Sequence, residues 1–286
     1  MTDNSLIALA RRRFHKTLLD GVLHLNNAGV ATNADKDSRL SRGIASGVLN
    51  RLAHTATAER LPGQTSGHKF ESVCESFLQE TFQHLSFLRP GTWEVERSSG
   101  GRLAIAKFEQ YQHLAELEAA SKADPILATV LGNEYLIRPD IVVCRYPEDD
   151  AEINKHAQIV GDEFVKYASL RKANNELPIL HASISCKWTL RSDRAQNARS
   201  EGLNLVRNRK GRLPHFVAIT GEPMPSRIAS LALGTGDVDC VYHIALPELK
   251  EAVAELDYQD AQEMLSIMIE GKRLRDISDL PLDLAI

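Results

Sequence analysis

The segment Ile179-Leu180-His181-Ala182-Ser183-Ile184-Ser185-Cys186-Lys187-Trp188 alternates regularly enough to restrict its own conformation. Leu180, Ala182, Ile184, Cys186 and Trp188 fall on one face of a period-2 pattern, and His181, Ser183, Ser185 and Lys187 fall on the other. Residues 193–209 follow with helical periodicity, and Ser192 or Asp193 is the expected N-cap. A strand that runs into a helix in this way restricts the chain to a sheet with helices packed on it.

The rest of the chain agrees with that class. Residues 136–143 read as a second strand, in which Pro139 is tolerable only near the start or at a distortion that aims Asp140 out of the ladder. Strands are also expected at 216–220 and 238–246. Helices are expected at 4–24, 39–54, 67–88, 103–121, 153–174, 225–233, 247–256 and 258–271, and 26–37 reads as a loop. In the 67–88 helix Phe70, Val73, Cys74, Phe77 and Leu85 mark the apolar stripe, while Glu71 and Glu75 stand one turn apart on another face. The expected fold is one α/β domain, a mixed sheet flanked by helices with a helical N-terminal elaboration.

With 286 residues, 43% hydrophobic and 25% charged, the chain has enough apolar material for a sizeable core. Its formal net charge of −4 argues against a general nucleic-acid binder. The charge is unevenly spread, however. Between Lys187 and Arg212 there are eight cations and two acids, which makes a local basic surface on an acidic protein. The four cysteines form no CxxC pair and sit in apolar patterns, so they read as reduced core thiols rather than zinc ligands or disulfides. The N-terminus does not read as a signal peptide and no apolar run reaches the ~18 residues of a membrane span, so the expected location is the cytoplasm.

Asp140 and Lys187, 47 positions apart, are expected on adjacent strands, which would place a carboxylate beside an ammonium. That pairing fits the outline of a PD-(D/E)xK nuclease, in which carboxylates hold Mg2+ and a lysine orients the attacking water near the scissile phosphate. The position two before Lys187 is Ser185, a poor ligand on its own for a hard cation, so another acid has to be supplied. Glu201 is the first candidate, because it lies in the helix that follows the strand. Its alternative is a solvated helix glutamate. Glu71 is a second candidate, with Glu75 as its rival. In Arg191-Ser192-Asp193-Arg194 the arginine forks match guanine O6 and N7 and the aspartate accepts from cytosine N4, so the cluster suits consecutive G·C pairs in the major groove. The alternative is a capped helix whose arginines pair with nearby acids. Arg227 opens another short helix, as a base or phosphate contact or as a plain surface arginine. No GxxxxGK[ST], GxSxG or HExxH motif competes with this reading.

Taken together, Pro139-Asp140, Ser185-Cys186-Lys187, Thr189, Arg191-Ser192-Asp193-Arg194 and Glu201 resemble the type II restriction endonucleases that recognise a CCGG core, with their PD, long gap, SxKxTxRSDR and displaced glutamate. The resemblance covers the whole chain. It implies one endonuclease domain over 1–286 with a catalytic core of about 67–246. It also implies Mg2+-dependent cleavage of palindromic double-stranded DNA to 5′-phosphate and 3′-hydroxyl ends, by two dimers assembled back to back as a homotetramer. By the same resemblance Asp140 and Glu201 bind the metal, Lys187 serves the attacking water and the phosphate, Ser185 belongs to the site, and Glu71 has a supporting acidic role. Arg191, Asp193 and Arg194, with Ser192 among them, read the inner CCGG. The outer pair of GCCGGC falls to Arg227 and the 33–38 loop, with Asp35 as its acid, and Gln64 touches the minor groove. A cognate DNA methyltransferase belongs to such a system. Two other readings are a PD-(D/E)xK repair or recombination nuclease, which would not need the Arg-Asp-Arg reader, and a non-catalytic DNA-binding regulator, which would not need Asp140 and Lys187.

Overall fold

The alternating segment forms β3 (Ile179–Lys187), an inner strand of a six-stranded mixed sheet, in a computed structural model that describes residues 3–55, 66–99, 101, 103–131, 137–234 and 236–286. On one side β3 pairs antiparallel with β2 (Ile141–Arg145), and β2 pairs antiparallel with the edge strand β1 (Trp93–Arg97). On the other side β4 (His215–Thr220), β5 (Cys240–His243) and β6 (Leu274–Asp276) follow in parallel. Parallel neighbours need crossovers. Here α7 (Ser192–Asn208) links β3 to β4, α8 (Pro225–Ala232) links β4 to β5, and α9 (Leu246–Glu255) with α10 (Gln259–Glu270) links β5 to β6.

Helices cover both faces of the sheet, which is why β3 is buried along its length apart from its two ends. Trp188 packs edge-on against Phe70 of α3 (Ser66–Phe82) with ring centroids 5.0 Å apart, while Ser185 faces Glu201 on α7. The N-terminal helices belong to the same core. In α1 (Leu6–Gly21) the Ser5 hydroxyl caps the first turn by accepting from Ala8 N–H, and Ala10, Phe14 and Leu18, each four residues apart, bury one face against α3. Phe14 and Leu18 each contribute about 1.5–3 kcal/mol by this burial. α2 (Arg39–Thr55) packs on α9, so the elaboration ties the start of the chain to its end.

The structure departs from the sequence expectations at several points. Asp140 lies just before β2 rather than inside a strand, since Pro139 has no N–H for a ladder, and the Asp140 carbonyl accepts instead from Ser98 N–H at 3.0 Å. Residue 136, the expected start of that strand, lies outside the described residues. No helix covers 153–174. α6 (Asp150–Ile153) is a single turn, after which Asn154 Oδ1 accepts from Ile159 and Val160 N–H at 2.8 and 2.9 Å and draws the backbone into an irregular path. The expected 103–121 helix forms only from His113 onward, and its first half is replaced by 3-10 turns at Ala104–Lys107 and Glu109–Tyr111. The buried, extended Phe108 separates them, and α4 (His113–Ala123) and α5 (Pro125–Leu131) follow. The 67–88 helix ends at Phe82 and continues as a 3-10 turn, Gln83–Leu85. β1, β6 and the short α11 (Leu280–Asp283) carry no sequence expectation.

His181 does not share the Ser185 face. The register slips between Val143, opposite Ala182, and Cys144, opposite Leu180, and the extra residue resets the alternation. His181 therefore stacks on Phe82 and meets Trp93 edge-on. The four cysteines are buried free thiols. Among the described residues no helix is long and apolar enough to cross a membrane.

Candidate active site

Pairing of Ile141 with Ile184 puts Asp140, one residue before β2, beside the last residues of β3. Asp140 Oδ2 accepts from Cys186 N–H at 2.7 Å and from Lys187 Nζ at 3.0 Å. Lys187 Nζ also lies 3.5 Å from Glu201 Oε1, and Ser185 Oγ donates to Glu201 Oε2 at 2.8 Å. One cluster thus draws on the entrance to β2, on β3 and on α7. Side-chain exposures of 22% for Asp140, 16% for Lys187 and 29% for Glu201 leave the cluster open to a ligand while removing most of its water. Ser185 is 1% exposed, so its hydroxyl serves Glu201 rather than the solvent.

Burial pushes the Glu201 carboxyl up and the neighbouring Asp140 charge adds to this, against Lys187 and the Ser185 hydroxyl, which pull it down. Burial alone would lower Lys187, but Glu201 and Asp140 together outweigh it and raise the ammonium above its ordinary value. Two carboxylates against one ammonium leave one negative charge in excess when both acids are ionised. The two acids converge on a single cationic position, now held by Lys187 Nζ, and this is the donor number that a hydrated Mg2+ takes from a protein. Among the described residues no three His, Cys, Asp or Glu side chains form a complete cage. The donor set therefore suits a hard cation that draws its other ligands from water and phosphate.

Glu71 is half-buried on α3, next in the chain to the Phe70 ring that packs on Trp188, and so lies toward the same end of the sheet. Its rival Glu75 is engaged with β1, where its two oxygens accept from Arg97 N–H and Nε, both at 2.9 Å.

Arg191, Asp193 and Arg194 are exposed at the start of α7. Arg191 is the N-cap, rather than Ser192 or Asp193, and no side chain caps the helix. The approach to α7 is held instead by Glu222, whose Oε2 accepts from Leu190 N–H at 2.8 Å. Arg194 Nη1 donates to Thr189 Oγ1 at 2.7 Å. In the first turn of α8, Arg227 pairs through Nη2 with Asp35 Oδ2, which lowers the Asp35 carboxyl. A cavity of about 720 Å3 opens between these segments, lined among others by Asp35, Asp37, Arg191, Gln196 and Arg227. Gln64 lies outside the described residues.

Glu222 was missed in the sequence. It is fully buried, and burial pushes its carboxyl up against the pull of Leu190 N–H, Met224 N–H and Arg227. The available signal was an acid placed just beyond the C-terminal end of the buried strand at 216–220, where parallel sheets hold their ligands.

Residues 14–286 match the family model described as NgoMIV restriction enzyme. The chain is also similar to the type II restriction enzyme NgoMIV of Neisseria gonorrhoeae, with 56% identity over 285 residues that cover 99% of this chain and 100% of that protein.

Proposed function

Because this chain belongs to the NgoMIV restriction enzyme family, and is therefore a type II site-specific deoxyribonuclease acting on double-stranded DNA, we propose that Asp140, Ser185, Lys187 and Glu201 are its catalytic group. The observation that carries this reading is the single cluster in which Lys187 Nζ lies 3.0 Å from Asp140 and 3.5 Å from Glu201. Asp140 and Glu201 would hold Mg2+, which when bound activates water and stabilises charge on the phosphate. Ser185 fixes the Glu201 carboxylate. Lys187 directs its ammonium at the scissile phosphate and the attacking water, where it faces the negative charge that develops as the P–O bond breaks. Cleavage then leaves a 5′-phosphate and a 3′-hydroxyl. Glu71 has a supporting acidic role on the α3 side.

The site proposed is GCCGGC. Arg191, Asp193 and Arg194, with Ser192 in the same turn, read the CCGG core, Arg227 and Asp35 read the outer pair, and Gln64 touches the minor groove. The chain works as one domain with its catalytic core at about 67–246, a reading supported by the packing of α2 on α9. A palindrome calls for a two-fold reader, so the working unit is at least a dimer, and a dimer of dimers is proposed. Ile159, Phe164 and Tyr167, which are 64%, 72% and 96% exposed in the irregular 154–178 segment, supply apolar surface that a further copy would cover. The protein acts in the cytoplasm beside a cognate methyltransferase that protects host sites.

Incubation with plasmid DNA of known sequence and Mg2+ tests the reading. Discrete fragments ending within GCCGGC are expected. Cleavage directed to branched or damaged DNA would return the repair-nuclease alternative, and cleavage unaffected by EDTA would remove Mg2+.

A further inference from the structure

Glu222 sits in the 221–224 loop between β4 and α8, is 0% exposed, and reaches no solvent face. It therefore touches no DNA. Its two oxygens are nevertheless divided between the two reading elements. Oε2 accepts from Leu190 N–H at 2.8 Å, immediately before Arg191, and Oε1 accepts from Met224 N–H at 3.1 Å, at the N-cap of α8. Oε1 also lies 3.8 Å from Arg227 Nη1. Neither α7 nor α8 has a side-chain cap of its own, so this one carboxylate fixes the entrance to both helices. Asn33 Nδ2 donates to the Gly221 carbonyl at 2.8 Å and ties the Asp35 loop to the same anchor. Along the helices, Arg199 of α7 donates to the Ser230 carbonyl of α8 at 2.6 and 3.1 Å.

We propose, on the reading of Arg191, Asp193, Arg194 and Arg227 as base contacts, that Glu222 is a positioning residue that holds the inner and outer readers in one register. The physical basis is the span of a single rigid carboxylate. Base-edge hydrogen bonds demand close placement, and an anchor shared by both helices passes any displacement of one reader to the other. A wrong outer pair then weakens the contacts at the inner pair as well.

Glu222→Gln isolates this role. The amide keeps the shape but has only one acceptor oxygen, so its NH2 opposes either Leu190 or Met224 N–H, donor against donor. Affinities of wild type and variant would be measured by gel shift, with Ca2+ in place of Mg2+, on a GCCGGC duplex, a duplex altered at the outer pair and one altered at the inner pair. The expected result is that the ratio of cognate to altered affinity falls about tenfold or more at both pairs. A purely structural role lowers the folded fraction, which scales all three affinities alike, so unchanged ratios in the variant would overturn the proposal. A fall confined to the outer pair would also overturn it, leaving Glu222 as the counter-ion of Arg227 alone. If wild type fails to discriminate against either altered duplex, the base-reading assignment is lost, and the proposal with it. Should the variant not fold, hydrogen exchange on wild-type protein decides: Leu190 and Met224 amides are expected to be protected about a hundredfold or more, and exchange at the rate of an unstructured peptide would refute the anchor.

Discussion

Replacing Ser185 with alanine removes a hydroxyl that is 1% exposed, and with it the 2.8 Å hydrogen bond to Glu201 Oε2. Hydrogen bonds to charged groups contribute about 1.5–3 kcal/mol. If all of this fell on the placement of Glu201, the Mg2+ needed for half-maximal cleavage would rise roughly ten- to more than a hundredfold, at about 1.4 kcal/mol per decade. Two observations select the low end. Glu201 keeps Lys187 at 3.5 Å on its other oxygen, and with 29% of its side chain exposed, water can take over part of the lost bond. Ser185→Ala is therefore expected to raise half-saturating Mg2+ about tenfold while losing little rate at saturation. Glu201→Ala, which removes an anionic ligand, should lose cation affinity and cleavage together. Single-turnover cleavage of a GCCGGC duplex across a Mg2+ titration reads both. An unchanged titration for Ser185→Ala would show that Glu201 needs no anchor or does not face the cation. A loss as complete as that of Glu201→Ala would make the hydroxyl itself a reacting or ligating group. Either outcome refutes the reasoning.

Asp140→Ala or Lys187→Ala should abolish cleavage while specific binding to a GCCGGC duplex persists in Ca2+; gel shifts that fall in step with cleavage would point to a structural role instead. Arg191→Ala or Arg194→Ala should cost about 1–3 kcal/mol of discrimination per lost bidentate contact, with weak non-specific binding retained through phosphates. An unchanged ratio of cognate to non-cognate affinity would make these arginines phosphate clamps. Acid should destabilise the fold through His181 and His243, which burial holds neutral, down to about 3 and about 4. Between those values and the ordinary 6.5 the unfolded chain binds more protons, so their stabilisation is complete above 6.5 and is lost as pH falls, by up to roughly 1.4 kcal/mol per pH unit for each group. Glu201 and Glu222, raised by burial, act in the opposite sense as pH rises above the ordinary 4.5. The check is consequently the difference in slope between wild type and His181→Gln in urea melts from pH 7 to 5, and equal slopes would contradict the assignment.

The centre of this fold was legible because its signals were local. The alternation of 179–188 and the helical period after it are properties of consecutive residues, and β3 and α7 formed close to where these placed them. The edges were not. β1 carries charges at Glu94, Glu96 and Arg97, and β6 is only three residues long, so both read as connection rather than strand. In the 154–178 segment a side-chain amide diverts the backbone, a local competition that composition does not reveal. The site divides in the same way. Ser185 and Lys187 share a face by alternation, and Glu201 follows in the next helix, so their proximity could be inferred. Asp35 and Arg227, which stand 192 positions apart, were linked only through the family resemblance. For Glu222 the sequence offered only its place at the end of a buried strand; its hydrogen-bond partners were not legible, because they are main-chain N–H groups, one of them 32 positions away, and no residue type marks a backbone donor.

Several charges of the candidate site are paired within the free protein. Lys187 pairs with both Asp140 and Glu201, and Arg227 pairs with Asp35. On the proposed reading, binding DNA at these residues is an exchange of ion pairs, and this bears on specificity. Arg227 and Asp35 separate without loss only where a guanine offers two acceptors to the one and a cytosine amino group offers a donor to the other. A wrong base pair satisfies at most one of them and leaves the other desolvated without a partner, which costs more than a missing contact alone. The intramolecular pair then remains the better state, and the reader stays closed on itself. Lys187 is subject to the same condition. On the same reading it turns from its carboxylates toward a scissile phosphate only when the backbone arrives in register, and that register is set in part by Arg191 and Arg194, which follow Lys187 by four and seven positions.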